Sequence, residues 1–325
     1  MSFPNKRLRR LRRTPALRRL VAETRLSVDD LVAPLFIREG IETPVPIPSL
    51  SGVKQHTRES LINEVKELNS IGIPGIILFG IPEQKDSHGS QAWDPNGIVQ
   101  LALQDCREAI GEDMVLIADL CVDEYTDHGH CGIIGEDGTV NNDQTIEIYG
   151  KIAQAQARAG ADIVAPSGMM DGQVRAIRNA LDEENFEETS ILSYSAKYAS
   201  GLYGPFRDAV DVTIADGGDR KTYQQDWRNG REALAEIRAD IEEGADMIMI
   251  KPAIPYLDVL SKARQITDLP IAAYHVSGEY AMIKAAANQN LIDERIVALE
   301  HLTAIKRAGA DFILTYLARE IAEVL

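Results

Sequence analysis

Residues 227–252 read WRNGREALAEIRADIEEGADMIMIKP, and this stretch holds one complete structural unit. Its first two-thirds is rich in Ala, Leu, Glu and Arg, strong helix formers, with apolar residues spaced to give one face. Gly244 then ends the helix, because glycine takes the left-handed C-cap conformation at no steric cost. An apolar run follows at once, Met247-Ile-Met-Ile, without the polar alternation of a half-exposed strand. Such a run suits a parallel strand covered on both faces. The unit predicts a helix, a tight turn and a buried parallel strand ending on Lys251.

The same unit recurs along the chain. Apolar runs occur at 31–37 (LVAPLFI), 72–81 (GIPGIILFGI), 114–121 (MVLIADLC), 161–167 (ADIVAPS), 189–197 (TSILSYSAK), 245–252 (ADMIMIKP), 270–278 (PIAAYHVSG) and 310–317 (ADFILTYL). Amphipathic stretches such as DQTIEIYGKIAQAQARAG lie between them, and Gly160, Gly244 and Gly309 each precede an Ala-Asp entry into the next strand. Eight alternating units predict an α/β fold, a (β/α)8 TIM barrel, with a doubly wound open sheet as the alternative. We place an extended basic N-terminal arm at residues 1–30 and the barrel at 31–325.

Composition narrows the class further. Hydrophobic residues make up 45% and charged residues 26% of the 325, the profile of a globular protein with a large core. No apolar run reaches the roughly 18 residues of a membrane span, and no signal-peptide pattern opens the chain. Three cysteines do not make a disulfide framework, so a reducing, cytoplasmic setting is expected. The whole chain carries −16 and its first twenty residues +8, which leaves −24 for residues 21–325. A polyanion would be repelled by that remainder, so nucleic acid is not an expected partner, and without an apolar span neither is a membrane. A sister subunit with an acidic surface fits the arm, and a solvated tail is the alternative.

In a barrel the chemistry gathers at the carboxyl ends of the strands. Those ends carry Asp119, Cys121, Ser167, Lys197, Lys251, Ser277 and Tyr316. No glycine-rich nucleotide signature accompanies them, and no organic cofactor is expected. Lys197 and Lys251 end consecutive strands, so two ammonium groups can share one cavity. Burial and mutual repulsion are then expected to depress both pKa values, freeing an amine to attack a ketone as a Schiff-base nucleophile. A lone lysine there could instead reach out to solvent or pair with a carboxylate. Two on adjacent strands argue for chemistry.

At this point four segments become specific: MIKPA (249–253), SYSAKYASGLYGPFRDA (193–209), HVSGEYAM (275–282) and ILTYLA (313–318). They resemble signature segments of the porphobilinogen synthase (5-aminolevulinate dehydratase) family, with likeness from about Leu31 to the C-terminus and a similar basic arm. The resemblance implies an eight-stranded barrel and a lyase of haem and chlorophyll biosynthesis. That enzyme condenses two 5-aminolevulinate molecules into porphobilinogen with loss of two waters. It implies that Lys251 holds the propionate-side substrate and Lys197 the acetate-side substrate, both as imines. Ser277 and Tyr316 match the hydroxyls on the first carboxylate, and Phe206 and Arg207 match residues between the two substrates. In DRKTYQQD (219–226), Arg220, Lys221 and Gln224 match a lid that receives the second carboxylate, and Gly217-Gly218 suit its mobility. The family commonly forms homo-octamers with arms wrapped around partner barrels.

The loop DLCVDEYTDHGHC (119–131) is where this chain departs from the pattern. The zinc-dependent branch of the family carries three cysteines in this loop, and the other branch carries Ala, Asp and Asp with hard cations. Here the three positions are Cys121, Asp123 and Cys131. Two thiolates, a carboxylate and a water can hold Zn²⁺ tetrahedrally, whereas Mg²⁺ would accept Asp123 but not the thiols. A zinc site, a weak or substrate-dependent cation, and a metal-free loop all remain open. Asp119 and Asp123 serve in each case, by holding the substrate ammonium and relaying protons. The resemblance also implies an allosteric Mg²⁺ site at Glu236, in EALAEIRAD, although an outer-shell aspartate of some relatives is Gly168 here. The rival readings are a single-lysine aldolase-type barrel, which leaves Lys197 unexplained, and a non-catalytic barrel acting as a binding module.

Overall fold

The computed structural model describes residues 6–214 and 218–325, so Gly217 lies outside the described residues. Eight parallel strands form the centre: β1 Leu31–Arg38, β2 Gly75–Ile81, β3 Val115–Leu120, β4 Ile163–Pro166, β5 Ser190–Lys197, β6 Met247–Lys251, β7 Ile271–His275 and β8 Phe312–Thr315. Each pairs with its successor, and β8 pairs back onto β1 through Leu31↔Ile313 and Val32↔Leu314. That last pairing closes the barrel and excludes the open sheet.

The eight runs become strands because both faces are covered. In β2 every residue from Gly75 to Ile81 is buried, and in β5 every residue from Ile191 to Lys197. Strands start up to three residues inside the expected runs. In the run at 161–167, for example, Asp162 stays outside β4 and its carboxylate accepts from the Leu116 N–H at 2.8 Å.

The principal helices between strands are α1 Arg58–Ser70, α2 Ile98–Ile110, α3 Asn142–Arg158, α4 Gln173–Glu183, α5 Arg231–Glu243, α6 Leu257–Ala263 and α7 Glu294–Ala308, and α8 Ala318–Ala322 follows β8. In α5 the buried residues are Ala233, Ile237 and Asp240, one stripe at helical spacing. Asp240 is tolerated under the sheet because Ser193 Oγ donates to it at 2.7 Å. Asn141 and Asp293 cap α3 and α7 by accepting from Gln144 N (3.1 Å) and Ile296 N (3.0 Å). Gly160, Gly244 and Gly309 have φ of +102°, +108° and +123°, the left-handed turn the Gly-Ala-Asp entries imply.

Additional elements decorate the mouth. Val45–Pro46 and Lys54–His56 form a short antiparallel hairpin, and its second strand extends β1 by the pairs Phe36↔Gln55 and Ile37↔His56. Helices at Gly204–Ala209 and Ser277–Asn288 follow β5 and β7. None of these has a strong period, which is why sequence patterning passes over them. Before Leu31 the described chain forms a helix at Pro15–Leu20 capped by Thr14, with no buried residue in it. No described helix is long and apolar enough to cross a membrane.

Candidate active site at the barrel mouth

Register puts the two lysines side by side. Lys197 and Lys251 are Cα partners at the ends of β5 and β6, and Tyr198 N donates to the Lys251 carbonyl at 3.0 Å. Lys251 is only 5% exposed, and its ammonium lies near four rings: Tyr274 at 4.4 Å, Tyr194 at 5.0 Å, Phe206 at 5.1 Å and Tyr203 at 5.4 Å from their centroids. Burial, then the neighbouring charge of Lys197, push its pKa down to about 7. This shift favours the free amine far more than in an ordinary solvated lysine.

Lys197 behaves differently, which corrects the expectation of mutual depression. Burial pulls its pKa down, but interaction with Cys131, Cys121 and Asp123 opposes that pull and carries it above the ordinary lysine value. Its ammonium also donates to the Ser167 carbonyl. The pair is therefore asymmetric, with a neutral-leaning amine on β6 beside a cation on β5.

Opposite the lysines stands the loop that leaves β3. Asp119 is buried and accepts from Ser167 Oγ at 3.0 Å, while its other oxygen has no partner among the described residues. Burial raises its pKa to about 6 against the opposing pull of Lys197 and Lys251. Cys121, Asp123 and Cys131 are all buried, with one ligand atom from each lying within 4.8 Å of the others. Two sulfurs and a carboxylate oxygen this close fit a tetrahedral zinc ion with a fourth position left for water. The two histidines do not join them. His130 Nδ1 meets Tyr223 OH at 3.1 Å, and His128 Nε2 meets the Ser87 carbonyl at 3.3 Å.

Arg220 closes over this loop. Its guanidinium donates to Asp123 Oδ2 at 2.7 Å and to the Gly129 carbonyl at 2.8 Å, with side-chain exposures of 10% for Arg220 and 5% for Asp123. Burial alone would raise the Asp123 pKa, but Arg220 and then Lys197 hold it well below the usual carboxylate range. The segment is anchored behind Arg220, where Gln225 N donates to the Lys197 carbonyl at 3.0 Å.

A cavity of about 330 Å³ opens between these groups, lined by Lys197, Lys251, Phe206, Arg207, Arg220, Lys221 and Gln224. Lys221 is exposed and paired with Asp219 at 2.6 Å, whereas Gln224 is buried with its amide nitrogen unpartnered. Asp119, Asp123, Ser277 and Tyr316 lie outside this lining. Ser277 Oγ accepts from Phe206 N at 3.1 Å and donates to the Leu202 carbonyl at 3.2 Å, and Tyr316 OH meets Tyr274 OH at 3.3 Å. Glu236 stands apart on α5, half-buried, its pKa raised to about 7 by burial and then by Asp240, Asp171, Glu232 and Glu243.

Several site residues escape sequence reasoning. Tyr194, Tyr203 and Tyr274 surround Lys251, yet aromatics in or beside apolar runs read as ordinary core. Glu124 is buried next to Asp123, and burial together with that neighbour drives its pKa well up. Nothing in the string Asp123-Glu124 says that both face inward.

A family model described as delta-aminolevulinic acid dehydratase matches residues 5–324. The chain is 55% identical to the delta-aminolevulinic acid dehydratase of Streptomyces coelicolor, over 100% of this chain and 98% of that protein. It is 53% identical to the Mycobacterium tuberculosis protein of the same name, over 99% and 98% of the two chains. Among solved structures, the Toxoplasma gondii delta-aminolevulinic acid dehydratase in complex with porphobilinogen superposes with a TM-score of 0.96 at 48% identity. It covers 98% of this chain and 91% of that one.

Proposed function

The chain belongs to the delta-aminolevulinic acid dehydratase family, and from that premise we propose that Lys251 and Lys197 carry the two imines of its reaction. The enzyme is a lyase that condenses two 5-aminolevulinate molecules into porphobilinogen with loss of two waters, a step of tetrapyrrole biosynthesis. The observation that carries the proposal is the Lys197↔Lys251 register inside one closed mouth.

The asymmetry of the pair supports an order of events. Lys251 offers a free amine at neutral pH and takes the ketone of the propionate-side substrate first. Lys197 has to lose a proton before it can attack the second ketone, and Asp119, with an unpartnered oxygen near both lysines, is the acceptor. Ser277 and Tyr316 anchor the first carboxylate, which requires Ser277 to exchange one of its present partners. Arg220, Lys221 and Gln224 hold the second carboxylate, and Phe206 and Arg207 line the site between the two substrates. Carbon–carbon and carbon–nitrogen bonds then form between two molecules already oriented, where proximity contributes most.

The family is metal-dependent, and Cys121, Asp123 and Cys131 would hold a zinc ion here. Bound there, zinc supplies a Lewis acid beside Lys197. Glu236 is the proposed anchor of an allosteric Mg²⁺. Magnesium keeps much of its water, so one or two carboxylates suffice, and Asp171 and Asp240 crowd Glu236 already. Activity titrated with Mg²⁺ after chelation is expected to rise in the native enzyme and to stay flat in Glu236→Gln. A cytoplasmic homo-octamer, with the +8 arm of one subunit on the acidic barrel of another, completes the proposal.

Borohydride trapping with labelled 5-aminolevulinate tests the lysine assignment. Mass spectrometry is expected to find label on both Lys251 and Lys197. Trapping at Lys251 should rise through a midpoint near pH 7, because protonation below it removes the nucleophile. Label on Lys251 alone under saturating substrate would favour the single-lysine reading and end this one.

A further inference from the structure

Tyr149 sits in the middle of α3, and its side chain is completely buried. It reaches from the helix layer to the loop that leaves β3. There its hydroxyl donates to the Cys131 carbonyl at 2.5 Å and lies 3.6 Å from Cys121 Sγ. One phenol thus touches both cysteines of the loop. A phenol can turn its single proton toward either the carbonyl or a thiolate sulfur, so the contact survives when the sulfur is given to an ion.

Gly168, just beyond β4, makes the approach possible. A Cβ at that position would stand 1.7 Å from the Tyr149 hydroxyl and 2.6 Å from its Cζ. No other residue type fits beside this tyrosine, so the two positions are matched by close approach. Cys131 is gripped from two sides, since its N–H also donates to Tyr223 OH at 3.3 Å. Tyr223 belongs to the lid segment that carries Arg220, whereas Tyr149 belongs to a long scaffold helix. The lasting grip on the loop comes from Tyr149.

We infer that Tyr149, admitted by Gly168, is a positioning residue that sets the spacing of Cys121 and Cys131 and thereby the loop's affinity for a soft divalent cation. The inference rests on the reading that Cys121, Asp123 and Cys131 hold such an ion. Its physical basis is that ligands on an irregular loop are only as well placed as the groups behind them. Outer-shell partners of this kind change metal affinity by roughly 10- to 100-fold. Tyr149 touches no substrate-facing group, and the proposed reaction steps do not use it.

The test titrates the full-length protein and two variants, Tyr149→Phe and Gly168→Ala, with Co²⁺, following the thiolate-to-cobalt charge-transfer absorption. Zn²⁺ affinity is then measured by competition with a chromophoric chelator. Tyr149→Phe is expected to weaken both ions by roughly tenfold or more, with an unchanged far-ultraviolet circular dichroism spectrum. Gly168→Ala, which displaces the phenol, is expected to weaken them at least as much. Identical titrations of the native protein and Tyr149→Phe would overturn the inference alone, as would a loss confined to Gly168→Ala, which would make packing the cause. Absence of a charge-transfer band in the native protein would overturn the ion reading and this inference with it.

Discussion

Lys251→Met is expected to lower turnover by on the order of 10⁴-fold or more, the scale lost when a covalent nucleophile is removed. Methionine fills the same apolar ring of Tyr194, Tyr203, Phe206 and Tyr274, so the fold should be unaffected and the loss should be chemical. Lys197→Met is expected to abolish porphobilinogen formation to a similar extent, but with a different signature. Lys251 remains and should still be trapped as an imine with one substrate. Removing the neighbouring ammonium also removes the second cause of Lys251's depressed pKa, so the midpoint of trapping should move above 7. Quenched-flow product assays and trapping across pH measure both. A Lys197→Met enzyme with native turnover would refute the two-lysine proposal.

Asp123→Ala is expected to open the lid. Arg220 and Asp123 form an ion pair that is nearly inaccessible on both sides, and removing one partner leaves a buried charge unpaired. Such breakage costs about 3–5 kcal/mol. Arg220 lies on the connection between β5 and α5, so this cost is expected as local opening of residues 218–226 and not as loss of the barrel. Hydrogen exchange in that segment should accelerate by roughly 10²- to 10⁴-fold, and trypsin should cleave faster after Arg220 or Lys221. The thermal transition of the barrel should move little. Unchanged exchange would mean that the pair does not hold the lid. A large fall in the barrel's own transition would mean that the cost falls on the barrel itself.

The asymmetry between the lysines and the Arg220–Asp123 pair share a cause. The carboxylate at position 123 is the main group that raises Arg220, and it joins Cys131 and Cys121 in raising Lys197. A proposed zinc ligand is thereby also the lid's anchor, and any ion bound there must share Asp123 with a guanidinium at 2.7 Å. Sequence alone exposes the substitution of a carboxylate for a thiol at 123, but not this second partner, which lies on the far side of two further strands.

What the sequence determined by itself was the barrel and the gathering of polar residues at one end of it. Eight apolar runs, Gly-Ala-Asp turns and polar strand ends are local signals, and each follows from burial on both faces of a strand or from the conformational freedom of glycine. Because consecutive strands pair in a barrel, the neighbourhood of Lys197 and Lys251 was legible too. Only the tertiary structure decided which lysine's pKa is lowered and which raised, which carboxylate is paired, and how Tyr149 passes Gly168 to reach the cysteines. Those outcomes depend on desolvation and on the nearest charge or atom, and the groups that supply them lie on other elements, far along the chain. A charge state is a property of the cavity, and no single strand or loop contains the cavity.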